Sequence, residues 1–205
     1  GTNVTVNTVP AQPGSISGLN SVCGGASGVA YSVAVVSGAT SYTWSAPAGA
    51  AITGGQGTNS VTVTYGTASG NISVTADNIC GPSIQPASLA VTVINPPPSP
   101  GSVTGNTLVP ANQTGVSYSI ASVSGATSYT WTVPSGASVT AGQGTTGATV
   151  TFGTASGNVC VTADNVCGSS SATCLSVTVG GKSCLAIKQA NPSAPDGVYS
   201  IDPDS

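Results

Sequence analysis

The chain contains no histidine, arginine, glutamate or methionine. Its only cations are Lys182 and Lys188, and its five acids are Asp77, Asp164, Asp196, Asp202 and Asp204. General acid–base chemistry needs positioned groups that titrate in a useful range. Residues 1–181 offer only Asp77, Asp164 and thiols, so a hydrolase or transferase site is excluded and a non-enzyme is expected. Binding to nucleic acid requires clustered lysine or arginine to neutralise phosphates, and there is no such cluster. No run reaches the roughly 18 apolar residues of a membrane helix, so no membrane insertion is expected. Without histidine and without a CxxC pair, zinc has no ligand set, and no cofactor is expected.

Charged residues make up 3% of the chain, against about 25% in ordinary globular proteins. Disordered segments combine low hydrophobicity with high net charge. Here 39% of residues are apolar, and they are patterned, so the chain folds. Solubility must come from serine, threonine and asparagine on exposed faces.

The pattern is a repeat. Val36-Ser37-Gly38-Ala39-Thr40-Ser41-Tyr42-Thr43-Trp44 returns 87 positions later as Val123-Ser124-Gly125-Ala126-Thr127-Ser128-Tyr129-Thr130-Trp131. The same shift aligns Gln56 with Gln143, Cys80 with Cys167, and Val4-Thr5-Val6 with Val91-Thr92-Val93. A period of this length is a whole domain rather than a solenoid unit. Residues 1–10 therefore read as the last strand of a preceding copy, 11–95 as one domain, and 96–100 as a proline-rich linker. Residues 101–180 read as the second domain.

Within each copy the apolar residues alternate. Val61, Val63 and Tyr65 are separated by threonines, as are Ile72, Val74 and Ala76 by Ser73 and Thr75. Glycine-rich breaks fall at Ser37-Gly38, Gly54-Gly55-Gln56-Gly57 and Ser69-Gly70-Asn71. The Gly54–Gly57 run has no following lysine or helix, so it reads as a turn rather than a phosphate cradle. This predicts an all-β chain of two tandem immunoglobulin-like β-sandwiches in an end-to-end array. Strands are expected near 14–18, 29–36, 40–46, 50–53, 59–65, 71–77 and 88–94 in the first copy, with Trp44 and Trp131 in the cores.

The order Gly-Ala-Thr-x-Tyr-x-Trp-x-x-Pro-x-Gly-Ala, Gly-Gln-Gly-Thr, and Gly-Asn-x-x-Val-Thr-Ala-Asp-Asn-x-Cys-Gly resembles PKD-like domains. These are immunoglobulin-like modules strung along large bacterial surface and secreted proteins. The original pattern Trp-Asp-Phe-Gly-Asp-Gly is here Trp44-Ser45-Ala46-Pro47, so an acid-based calcium role is not implied. Residues 181–205, from Ser183-Cys184 to Asp202-Pro203-Asp204, look like the start of a fibrinogen C-terminal-like module, a family whose members recognise glycans or proteins.

Asp77-Asn78 and Asp164-Asn165 offer one carboxylate each, too few for a calcium ion with six to eight oxygen ligands. They are expected to form side-chain-to-backbone turns instead. The glycosylation pattern occurs at Asn3, Asn71 and Asn112, as chance allows in a chain so rich in serine and threonine.

Six cysteines in a polar β chain point to an oxidising, extracellular location. Cys160 and Cys174 fall on the last two strands with outward parity, where the first copy has Ser73 and Ser88, so they are expected to pair. Cys23 and Cys80 belong at opposite ends of a sandwich. An interdomain Cys23–Cys167 bond is therefore expected, with Cys80 pairing to a preceding copy and Cys184 within the fibrinogen-like module, as in that family.

The expected function is a non-catalytic stalk or spacer in a large bacterial cell-surface adhesin. Its partners would be neighbouring repeats or subunits, with any surface glycan or protein ligand held by other modules. One alternative is a subunit of a self-assembling extracellular fibre built by strand addition. Another is a carbohydrate-binding accessory module, which exposed clustered aromatics would support.

Overall fold

The structure is a computed structural model that describes residues 7–180. The chain divides into two units, 1–95 and 96–205. No helix occurs among the described residues. Each unit is a two-sheet sandwich with its own core. The segment 181–205, expected from its sequence to start a fibrinogen-like module and including Cys184, Asp202 and Asp204, lies outside the described residues, as does Asn3.

In the first unit the strands are β1 (Ser17–Gly18), β2 (Ser21–Cys23), β3 (Val29–Ser32), β4 (Ser41–Ser45) and β5 (Ala51–Gly54). They continue as β6 (Ser60–Thr64), β7 (Gly70–Asn78), β8 (Gly81–Pro82) and β9 (Ala87–Ile94). One sheet has the order β1-β3-β6-β5; the other has β2-β9-β7-β4, with β8 folded back on β7. The second unit repeats this with β10 (Thr104–Gly105), β11 (Leu108–Pro110), β12 (Val116–Ser119), β13 (Ser128–Thr132) and β14 (Ser138–Ala141). It ends with β15 (Gly147–Thr151), β16 (Gly157–Asn165), β17 (Gly168–Ser169) and β18 (Thr173–Gly180).

Period-two alternation builds the sandwich directly. Val61, Val63, Ile72, Val74, Ala76 and Val91 are at most 2% exposed, while the threonines between them face outward or sit at the margins. Trp44 and Trp131 are buried in the two cores. Burying each valine or isoleucine contributes about 1.5–3 kcal/mol relative to exposure, so a chain of this small size can support two cores.

The structure corrects the expected strands in two places. The strand expected over 14–18 is confined to β1, and a further short strand that was not expected, β2, follows it in the other sheet. β1 pairs antiparallel with β3, the chain crosses over at Leu19 and Asn20, and β2 then runs parallel to β9. Cys23 thus ends a strand of its own, with Ile94 beside it in register. The strand expected over 29–36 stops at Ser32. Beyond it Val33 N donates to Asn59 O, and Val35 is turned out to solvent, 77% exposed.

A tyrosine fastens the crossover. Tyr31 Oη donates to Leu19 O at 2.8 Å and accepts from Tyr65 Oη at 2.9 Å. Its ring lies over Gly18, where any Cβ would collide with it. Burial, then the Tyr65 hydroxyl, hold the Tyr31 phenol well above the usual tyrosine range. In the second unit Tyr118 makes the same bond to Asn106 O, and burial pushes it up to about 12. Phe152 replaces Tyr65 there.

Candidate functional site

The residues that recur between the copies are concentrated on β4, on the loop that crosses it and on the β7–β8 turn. At the start of β4, Val36-Ser37-Gly38-Ala39 forms a turn, with Ala39 N donating to Val36 O. Gly38 at φ 78° fills the third position, which a type II turn reserves for positive φ. Tyr42 Oη accepts from Val36 N at 2.8 Å and closes the turn from the strand side. Tyr129 does the same at Val123.

β4 is the last strand of its sheet, and its outer edge is closed by the glycine-rich loop. Tyr42 and Gly57 exchange backbone hydrogen bonds at 3.2 and 3.1 Å. One residue pair further on, the Gln56 carboxamide exchanges bonds with both backbone groups of Trp44. Trp44 Nε1 then donates to Thr58 O at 2.9 Å. Gln143 and Trp131 repeat the arrangement. The turn reading holds for residues 55–57, while Gly54 ends β5; the part played by Gln56 was not foreseen. Its only trace in the sequence is its return at the same spacing from the tryptophan.

Asp77 and Asp164 sit where β7 and β16 meet their short hairpin partners. Asp77 accepts hydrogen bonds from Thr43 Oγ1 at 2.7 Å and Thr75 Oγ1 at 3.0 Å. Asp164 accepts from Thr130 at 2.7 Å and Thr162 at 3.1 Å. The Ser169 hydroxyl, followed by those of Thr130 and Thr162, holds the Asp164 carboxyl below its ordinary value despite some desolvation. Their lone pairs are engaged by hydroxyl donors. No group of three potential metal-ligating acids, thiols or imidazoles occurs among the described residues.

The next residue turns the chain. Asn78 Oδ1 accepts from Cys80 N at 2.8 Å, a side-chain turn of the kind asparagine favours. Asn78 Nδ2 donates to Thr8 O at 2.7 Å, and Cys80 Sγ lies 3.4 Å from Asn7 O. The incoming segment therefore rests on this turn. Asn165 Oδ1 accepts from Cys167 N in the same way.

The cysteines fall into distinct states. Cys160 and Cys174 face each other across β16 and β18 and are joined by a disulfide, with their Cα atoms 4.0 Å apart. Ser73 and Ser88 occupy the same paired register in the first unit. Cys23 and Cys167 are each disulfide-bonded. Cys80 is a free, exposed thiol. A bond between Cys23 and Cys80 within one sandwich is not possible. Cys23 lies level with Ile94, beyond the Gly70 end of β7, and Cys80 lies beyond its Asn78 end. The nine residues of β7 at about 3.3 Å each separate the two far beyond the ~7 Å limit for a disulfide.

Every aromatic ring among the described residues is buried: Tyr31, Tyr42, Trp44, Tyr65, Tyr118, Tyr129, Trp131 and Phe152. Asn71 and Asn112 are exposed.

The model of the PKD-like domain family matches residues 9–91 and again 96–177. Together these cover most of the chain, which belongs to that family as two tandem members. No curated protein matches it. Among solved structures it is similar to an I-band fragment of titin, at 18% identity and TM-score 0.47 over 84% of this chain and 66% of that one. It is also similar to FdeC, an Escherichia coli adhesin, at 18% identity and TM-score 0.43 over 83% and 63% of the two chains. Extracellular domains of Drosophila OTK match at 14% identity and TM-score 0.43 over 82% and 60%. The chain thus spans less than two thirds of the length of each of these three. At such identities and scores the likenesses say nothing of what this chain binds.

Proposed function

We propose that this chain is a non-catalytic spacer section of an extracellular stalk in a bacterial surface adhesin, built from PKD-like modules. The observation that carries this reading is that each module closes on itself. Each has its own core, and in each the edge of the tryptophan strand is capped by the module's own glutamine loop. Disulfide bonding at Cys23, Cys160, Cys167 and Cys174 supports an oxidising compartment outside the cell. Burial of the aromatic rings removes the flat faces on which a sugar would stack, which weighs against a carbohydrate-binding module. Capping of the β4 edge weighs against strand addition there. In this reading Cys23 and Cys167 are joined, so that neighbouring modules are linked covalently as well as through the linker.

Pulling single molecules from both ends tests the proposal. A spacer should give two separate unfolding events, one per module, and purified 1–205 should bind no glycan on an array. A single low-force extension would overturn the spacer reading. Specific glycan binding by residues 1–205 would favour the carbohydrate-binding alternative.

A further inference from the structure

The free thiol of Cys80 sits at a docking point that the repeat makes interpretable. The 87-residue shift aligns Asn7 with Ile94, Thr8 with Asn95 and Pro10 with Pro97. Residues 7–10 are therefore the counterpart of the exit from β9. In the first module Ile94 at that exit lies in register beside Cys23. Asn7, which stands where Ile94 stands, is the residue whose carbonyl Cys80 Sγ meets at 3.4 Å. Thr8 is held to the same turn through Asn78 at 2.7 Å, and a Cβ on Gly81 would meet Val9 at 3.7 Å. A module arriving through residues 7–10 would bring its own Cys23-type residue alongside Asn7, and so against Cys80.

A second observation points the same way. The residue equivalent to Cys80 in the second module is Cys167, with the same Asn–Cys turn, and Cys167 is disulfide-bonded. The residue type expected as its partner, Cys23, is also bonded. The turn cysteine is thus used in one copy and open in the other.

We propose that Cys80 forms a disulfide with the cysteine at the Cys23-equivalent position of a PKD-like module whose last strand leads into residues 7–10 of the same polypeptide. The chemistry is thiol–disulfide exchange with an oxidised dithiol carrier, such as a disulfide oxidoreductase or oxidised glutathione. The Cys80 thiolate attacks one carrier sulfur and displaces the other as thiolate. The second cysteine's thiolate then attacks the Cys80 sulfur of the mixed disulfide and releases the carrier. Two thiols are oxidised, one carrier disulfide is reduced, and the two protons end on the carrier. The inference rests on the reading of the chain as part of a module array. It is separable from the spacer role, because modules can unfold independently with or without the bond.

The test is non-reducing peptide mapping of the full-length polypeptide, alkylated at harvest. Both lysines lie beyond residue 181, so trypsin cannot separate the five cysteines up to Cys174 from one another and pepsin is used. The expected result is a Cys80 peptide joined to a cysteine peptide N-terminal to residue 1, in a segment resembling Ser21-Val22-Cys23-Gly24-Gly25. Cys80 recovered alkylated, joined to Cys184, or joined to another chain as a multimer that collapses on reduction would overturn the proposal. A second arm replaces residues 1–6 with a copy of residues 11–93, joined in register to Asn7, and refolds the chain with oxidised glutathione. The added copy's Cys23 equivalent should bond Cys80, and Cys80→Ser should leave one further alkylatable thiol. Because the added copy also brings its own Cys80 equivalent, the proposal leaves two free thiols, that one and Cys184; four free thiols in the folded, oxidised chain would sink the idea.

Discussion

The side chain of Gln56 pairs with the backbone of Trp44 as a neighbouring strand would. Trp44 N donates to Gln56 Oε1 at 3.2 Å, and Gln56 Nε2 donates to Trp44 O at 3.1 Å. Together with the Tyr42–Gly57 exchange, this continues the ladder past β4 without adding a strand. An open sheet edge is a template for pairing with other chains. The amide therefore has two effects: it satisfies two backbone groups next to a buried tryptophan, and it caps an edge.

Gln56→Ala should accordingly cost about 1–3 kcal/mol, the range for leaving part-buried polar groups unpaired. In a domain of this size that lowers the midpoint by at least ~4 °C. Gln143→Ala should act likewise on the second module. Gln56→Glu keeps the acceptor and loses the donor, so it should fall between wild type and alanine. Calorimetry checks the order, and light scattering should show that the alanine variant self-associates more readily. An unchanged midpoint in both alanine variants would mean that water replaces the amide without loss.

The sandwich was legible because period-two alternation over Val61–Tyr65 and Ile72–Ala76 has one physical explanation, a half-buried strand. β2 and β8 were not legible. Three residues, Ser21-Val22-Cys23, and two, Gly81-Pro82, are too short to show any period, and both exist only because a longer strand offers them an edge. The sheet switch at Leu19 depends on Tyr31 reaching back across the fold, a contact local sequence does not announce. Gln56 was read as part of a turn because a glutamine among glycines looks the same whether solvated or pressed against a strand.

The Cys160–Cys174 bond closes a loop between residues 14 apart. In the chain-entropy model a loop of about 15 residues contributes on the order of 3 kcal/mol. Replacing both by serine, as the first module has it, should lower the transition of module two alone. Because Ser73 and Ser88 share the paired register, the double variant Ser73→Cys/Ser88→Cys should form the same bond spontaneously. Force extension gives a second readout. Reduction should lengthen the step of module two by about 5 nm, at ~3.6 Å per released residue, and leave that of module one unchanged.

The lowered pKa of Asp164 makes a signed prediction. Its folded carboxyl titrates below the unfolded value, because Ser169, Thr130 and Thr162 donate to the charged form. The unfolded chain therefore takes up a proton first as pH falls. Stability from this group is complete above the unfolded value of about 3.9 and is lost as pH falls through the folded value. With no glutamate and five aspartates in the chain, the background is small. Asp164→Asn should flatten the acid limb of the module-two melting curve, and Ser169→Ala should raise the carboxyl's midpoint in a carbon-13 titration. An Asp164 midpoint at or above 3.9 would contradict the hydrogen-bond account.

The last prediction concerns how force would pass between modules. Cys23 and Cys167 are each bonded, Cys160 and Cys174 satisfy each other, and Cys80 is free. The length of β7 keeps Cys23 and Cys80 at opposite ends of their sandwich. Non-reducing peptic mapping of the 1–205 chain should therefore yield a Cys23–Cys167 peptide. A Cys23–Cys80 or Cys23–Cys184 peptide would refute the covalent link between modules and leave the proline-rich segment as the sole connection. If the link exists, Cys23→Ser and Cys167→Ser should each expose one new thiol on the partner. Each should also increase the spread of module orientations seen by small-angle scattering, with little change in the midpoint of either core, because neither cysteine belongs to the buried clusters.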